Sequence, residues 1–222
     1  MCTVTWVHGE DVLRLHASRD ESRSRGRARP PDLHAWDGVR VLAPLDADRQ
    51  GTWLGVNEHR LTLTLLNGAM PRSPGAPATA PNGPGRVSRG LLLRDLLTLR
   101  GWSDVDAELH RRTLADLAAF TLVAFPWGAP PHAAVWDGSL LEIWEIGAED
   151  MPLASSTFDP DGVPAARREV FEQLAGDRSR PSSQVLEAFH RSHLPHRGAY
   201  SPCMHRDDAA TRRLVLWLPV RW

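Results

Sequence analysis

The chain opens on an alternation of period two: Thr3, Thr5 and Val7 interleave with Val4 and Trp6. After His8-Gly9-Glu10-Asp11 the pattern resumes, with Leu13, Leu15 and Ala17 between Val12, Arg14 and His16. Alternation on both sides of a polar turn predicts a β-hairpin whose second strand ends beside the start of the first. Arg19 and Asp20 are therefore expected next to Cys2. Trp36-Asp37-Gly38 predicts a turn into a strand over 39–44. A second hairpin is predicted from strands over 52–56 and 61–66 about the turn Asn57-Glu58-His59-Arg60, ending at Asn67-Gly68.

The middle of the chain changes period. Residues 69–86 are rich in Pro, Gly and Ala and carry no apolar repeat, which predicts a surface loop or lid. Leu91, Leu92, Leu96 and Leu99 follow at helical spacing and predict a helix over 88–99 capped by Ser88. A second helix is predicted from the cap candidate Ser103 to about residue 117, with Val105, Leu109, Leu114 and Leu117 on one stripe. Strands are then expected over 120–125, 133–136 and 140–146, the last two joined at Asp137-Gly138. A helix over 165–174 stops at Gly176, Ser182 or Ser183 caps another carrying Val185, Leu186 and Phe189, and a strand over 212–220 closes the chain. This order predicts mixed α and β structure in one domain over 1–222.

Composition narrows the function classes. The 222 residues are 42% hydrophobic and 24% charged, ordinary for a globular domain, and the formal net charge is −1. No global field favours nucleic acid or an anionic membrane. All 26 basic residues are Arg, which excludes Schiff-base chemistry and a Walker-type Lys. Two cysteines are too few for a disulfide framework and fit a reducing compartment. No apolar run approaches the roughly 20 residues that span a bilayer, so a cytoplasmic location is expected.

Candidate chemistry centres on Cys2. With Met1 removed, Cys2 would carry a thiol and a free α-amine on one carbon. Such an amine titrates at about 7.7–8.0 and can take the thiol's proton. The arginine-rich stretch 22–31 reads as a polar connector that could also form a rim for an anionic ligand. Glu142 and Glu145, three apart on a predicted strand, point to opposite faces and make no catalytic pair. His190, His193, His196, Cys203 and His205 could be drawn as a metal site. No CxxC or HExxH spacing supports it, and neither metal nor cofactor is expected.

Several of these residues stand in a recognisable arrangement. Met1-Cys2-Thr3, the Ser18-Arg19-Asp20-Glu21 that follows an apolar strand, Pro30-Pro31, 51–57 (GTWLGVN) and Ser88-Arg89-Gly90 together resemble the NRDE family, also called the transport-and-Golgi-organisation family. Ser18 stands where that family has the leading Asn of its motif. The resemblance implies an N-terminal-nucleophile fold, distantly similar to choloylglycine and penicillin V acylases: an α+β, four-layer αββα sandwich of two antiparallel sheets flanked by helices. It also implies roles. Cys2 would attack a linear amide of a small acylated substrate, Asp20 would hold the ammonium form of the α-amine, and Arg19 would favour the thiolate. Asn67 would donate to the oxyanion. Ser155, where the acylases have an Asn, would bind the reacting carbonyl, and one of Arg212 and Arg213 would face the nucleophile. The rival implied by the same family is a carrier of haem or acyl lipid that keeps the fold without catalysis.

Overall fold

The computed structural model of the chain describes residues 2–9, 12–70, 87–176 and 181–219. The predicted loop or lid lies outside them except at residues 69 and 70, as does the tip of the first turn. In chain order the elements are β1 (Cys2–Gly9), β2 (Val12–Ser22), β3 (Arg29–Trp36), β4 (Val39–Leu45), β5 (Leu54–Asn57), β6 (Thr62–Asn67), α1 (Arg89–Leu96) and α2 (Trp102–Arg111). There follow β7 (Phe120–Phe125), β8 (His132–Trp136), β9 (Leu141–Glu145), β10 (Leu153–Ser155), α3 (Gly162–Ala175), α4 (Ser183–Arg191) and β11 (Ala209–Pro219). The fold is α+β, with two antiparallel sheets and four α-helices among the described residues, in two compact units.

One unit comprises 25–69 and 87–146 among the described residues and holds a seven-stranded sheet in the order β3 to β9. Its core joins Leu92, Leu93 and Leu96 with Val105 and Leu109 from the helices, and Leu97 just past α1, to Leu63, Leu65, Phe120 and Leu122 from the sheet. The motif residues here are scaffolding. Asn57 is buried and uses its whole amide: Nδ2 donates to the carbonyls of Leu97 and Leu99 at 3.0 and 2.7 Å, and Oδ1 accepts from the N–H groups of His59 and Leu61 at 3.0 Å each. Gly51 and Gly90 touch backbone to backbone, and the Thr52 N–H donates to the Gly90 carbonyl at 3.0 Å. A Cβ on Gly51 would stand 2.5 Å from the Gly90 carbonyl carbon.

Three boundaries differ from the pattern-based expectation. The first helix ends at Leu96 rather than near 99; the carbonyls of Leu97 and Leu99 are taken by Asn57. The second starts at Trp102 with Gly101, not Ser103, at its N-cap, and stops at Arg111 where Arg112 turns extended. Arg112 there pairs with Glu108 and Asp95 at 2.5 and 3.0 Å, and Leu114 and Leu117 are buried from a non-helical segment. The Arg- and Pro-rich connector is shorter than expected, since Arg29–Trp36 adds to the sheet as an exposed edge strand beside β4.

The other unit contains 2–9, 12–24, 70, 147–176 and 181–219 among the described residues and holds the sheet β10-β1-β2-β11. Register divides β1 and β2 into two rows of side chains. Cys2, Val4 and Trp6 pair with Arg19, Ala17 and Leu15 on one face, and Thr3 and Thr5 pair with Ser18 and His16 on the other. That second face is polar and fully buried, covered by α3 and α4. The helices supply its partners. Arg167 on α3 donates to Thr3 Oγ1 at 2.5 Å and to Asp20 Oδ2 at 2.7 Å, and Thr211 Oγ1 donates to Asp20 Oδ1 at 2.5 Å. His190 on α4 bonds Thr5 Oγ1 at 2.9 Å and Ser18 Oγ at 2.7 Å. Phe171 and Phe189 meet edge to face at 5.2 Å and lock the helices together.

Two stability outcomes follow from this packing. Arg167→Ala leaves the Asp20 carboxylate buried and unpaired and should cost about 3–5 kcal/mol, against a change within about 0.5 kcal/mol for the exposed Glu169→Ala; urea unfolding of both variants measures the difference. Gly51→Ala forces the β4–β5 connection away from α1 and should destabilise by about 1–3 kcal/mol in the same assay.

Candidate functional site

Cys2 lies at the start of β1, buried, with strands on both sides. Its register partners are Arg19 on β2 and Ser155 on β10, and Arg19 in turn pairs with Arg212 on β11. Paired positions of antiparallel strands share a face, so Ser155, Cys2, Arg19 and Arg212 form one row across all four strands. The row holds a thiol, a hydroxyl and two guanidinium groups. Arg213 is in register with Ser18 instead, so the row contains Arg212.

The Arg19-Asp20 pair is split by the pleat. Asp20 stands one residue along and turns its carboxylate to the helix-covered face, engaged with Arg167 and Thr211. The acid on the Cys2 face is Glu21, two residues from Arg19. Arg19 Nη2 and Glu21 Oε2 are 2.5 Å apart, and both side chains are mostly buried. Sequence reasoning missed Glu21, although a period of two counted from Arg19 selects it.

Ser155 is the unusual member of the row. It is 3% exposed, and its Oγ has no hydrogen-bond partner among the described residues. A buried hydroxyl left unpaired costs about 1–3 kcal/mol, a penalty that a bound acceptor or donor would remove. Ser18, the other position where a family Asn is expected, is satisfied by His190 on the opposite face. In the other unit, Asn67 closes β6 in register with Phe120, and Gly68 follows at φ +100°. Glu142 and Glu145 are exposed and pair with Val135 and His132, forming no pair with each other.

The histidines that could be drawn as one metal site are separated, because α4 ends at Arg191. His190 is buried inside the fold, while His193 lies beyond the helix and meets Cys203 and His205. Burial, then the positive charges of Arg197, His193 and Arg23, lowers the pKa of His205. No helix among the described residues is long and apolar enough to cross a membrane.

The family model described as TANGO2, Transport and Golgi organisation 2, matches residues 1–137. No curated protein matches the chain. Among solved structures, the mutant C2A conjugated bile acid hydrolase from Clostridium perfringens aligns over 99% of this chain and 89% of its own, with a TM-score of 0.53 and 10% identity. Penicillin V acylase from Agrobacterium tumefaciens aligns over 79% of this chain at a TM-score of 0.45 and 14% identity, and this chain spans 58% of its length. At 10% identity the likeness to the bile acid hydrolase is one of fold.

Because the Ser155 hydroxyl makes no bond to the described residues, Ser155→Ala should leave stability unchanged or raise it by up to about 1 kcal/mol. Thermal unfolding checks this; a loss above about 1 kcal/mol would reveal a structural partner for the hydroxyl.

Proposed function

The chain belongs to the Transport and Golgi organisation 2 family, and from that membership and the Cys2 row we propose that it is a cysteine N-terminal-nucleophile hydrolase of a linear amide in a small acylated molecule. The observation that carries the reading is the row itself: a buried thiol flanked by a guanidinium on one strand and an unpartnered hydroxyl on another. The structural neighbour recorded as a C2A mutant of a conjugated bile acid hydrolase accords with a reactive cysteine at this position.

In this mechanism Met1 is removed and the Cys2 α-amine accepts the thiol proton as sulfur attacks the carbonyl carbon. The amine returns that proton to the leaving nitrogen as the C–N bond breaks, and water then hydrolyses the thioester. Arg19 favours the thiolate through its charge, and Glu21 holds Arg19 in place. Ser155 donates its free O–H to the bound acyl group. Asp20 acts at one remove, by fixing the strand that carries Arg19.

Amine release from a panel of acyl amides tests the reading. Cys2→Ala should lower kcat by more than about a hundredfold, and Glu21→Gln should lower it by roughly tenfold or more with the fold intact. Intact mass of the native protein should show Met1 absent, and after mixing with an acyl amide from the panel it should show an acyl adduct on Cys2. Retained Met1, or an unlabelled Cys2 in a protein that binds haem or an acyl chain tightly, would replace the hydrolase with a carrier.

A further inference from the structure

Away from the Cys2 row, the segment between α4 and β11 gathers one thiol and two imidazoles. His193 Nε2 and His205 Nε2 are 3.1 Å apart, and Cys203 Sγ is 3.6 Å from His205 Nε2. All three ligand atoms lie within 4.8 Å of one another. A tetrahedral ion with bonds of about 2.05 Å to nitrogen and 2.3 Å to sulfur separates its ligands by about 3.3 Å for N···N and about 3.6 Å for S···N. Two of the three edges already have these lengths. The third closes by a shift of the exposed His193.

The segment is held in this shape by its own bonds. The Cys203 N–H donates to the Ser192 carbonyl at 2.9 Å, and Ser201 Oγ donates to the Cys203 carbonyl at 2.9 Å. The His205 backbone bridges Ala210 at the head of β11, and the Met204 N–H donates to Thr211 Oγ1 at 2.7 Å. Tyr200 donates to Asp159 at 3.0 Å and Arg206 lies over Phe158 at 4.3 Å, which ties the segment to the entry of α3. Three ligands on one braced segment need little ordering to bind. By strand spacing the cluster stands roughly 15 Å from Cys2, outside its row.

We propose that His193, Cys203 and His205 form a binding site for a divalent ion of the zinc class, with three protein ligands and a fourth position open to water or an exchanging ligand. Thiolate with imidazole selects zinc-like ions over magnesium and calcium. Binding releases the thiol proton to solvent. The proton that His205 and His193 share between their Nε2 atoms moves off that edge, so both nitrogens offer lone pairs. The exposed Arg197, whose guanidinium lies 3.4 Å from His205 Nδ1, swings aside and leaves that nitrogen to carry the ring proton.

Titration of the reduced full chain with Co(II), a spectroscopic stand-in for zinc, tests the site independently of any hydrolysis. A thiolate-to-cobalt charge-transfer band should rise to one ion per chain and be abolished by stoichiometric Zn(II). Cys203→Ser should lose the band, and His193→Ala, at an exposed position, should weaken binding more than about tenfold without changing the unfolding temperature of the metal-free protein. Cys2→Ala should keep the band, which separates this site from any chelate at the amino terminus. No band in the parent chain, a band that survives Cys203→Ser, or one lost with Cys2→Ala overturns the proposal.

Discussion

The buried ion pair between Arg167 and Asp20 holds the sheet β10-β1-β2-β11 in register. Neither side chain has solvent-exposed surface, and their oxygen and nitrogen stand 2.7 Å apart. A buried pair of this kind gains little over apolar packing but is costly to break, because the surviving charge has nowhere to go. Here its geometry also ties strands. Arg167 reaches Thr3 on β1, and Asp20 on β2 accepts from Thr211 on β11, so one helix residue fixes three neighbouring strands. A slip of one residue in any of them would turn Asp20, Thr3 or Thr211 away from Arg167. The same slip would dismantle the row on the opposite face. The position of Cys2 beside Arg19 and Ser155 is thus set from behind the sheet.

This division of labour between the two faces explains what could be read in the sequence. Hairpins whose patterns are local were legible to within a few residues: β1 with β2, β5 with β6, and β8 with β9. Helix ends were not, because their causes are distant in sequence. Beyond Leu96 the Thr98 and Leu99 N–H groups turn to carbonyls three residues back, and Asn57, forty residues before Leu97, satisfies the carbonyls of Leu97 and Leu99. The strand β3 was hidden by its Arg and Pro content, which suits an exposed edge as well as a loop. In the site, Cys2 and Arg19 were legible from the hairpin alone. Glu21 was equally so, but the position next to Arg19 was read as adjacent in space, whereas on a pleated strand the neighbour in space is the next residue but one.

The two positions where the family resemblance expects Asn and this chain has Ser have opposite meanings. Ser18 faces the helices and bonds His190, itself stacked on His16 at 5.7 Å, within the buried polar layer. A shorter side chain there changes packing behind the sheet. Ser155 faces the other way, beside Cys2, and keeps its hydroxyl unsatisfied. The first substitution has been absorbed by the fold. The second leaves a polar group that only something outside the described residues can satisfy.

The two thiols of the chain show how surroundings assign chemistry to one residue type. Cys2 is buried in a strand row with a guanidinium and a hydroxyl, and no imidazole lies in its pair positions. A guanidinium is a cation without a lone pair to give and a neutral hydroxyl is a weak ligand, so those neighbours suit an anion or a carbonyl better than a metal ion. Cys203 is half-exposed on a braced segment with two imidazole nitrogens turned toward its sulfur. Imidazoles supply lone pairs, and a partly open position lets an ion enter and shed water. Linear spacing could not separate the two cases, since His193 and Cys203 are ten residues apart and meet only because α4 stops at Arg191 and the chain turns back. The helix stop that takes His193 off the face of His190 is the event that assembles the second cluster, and it leaves His190 free to satisfy the layer that positions the first.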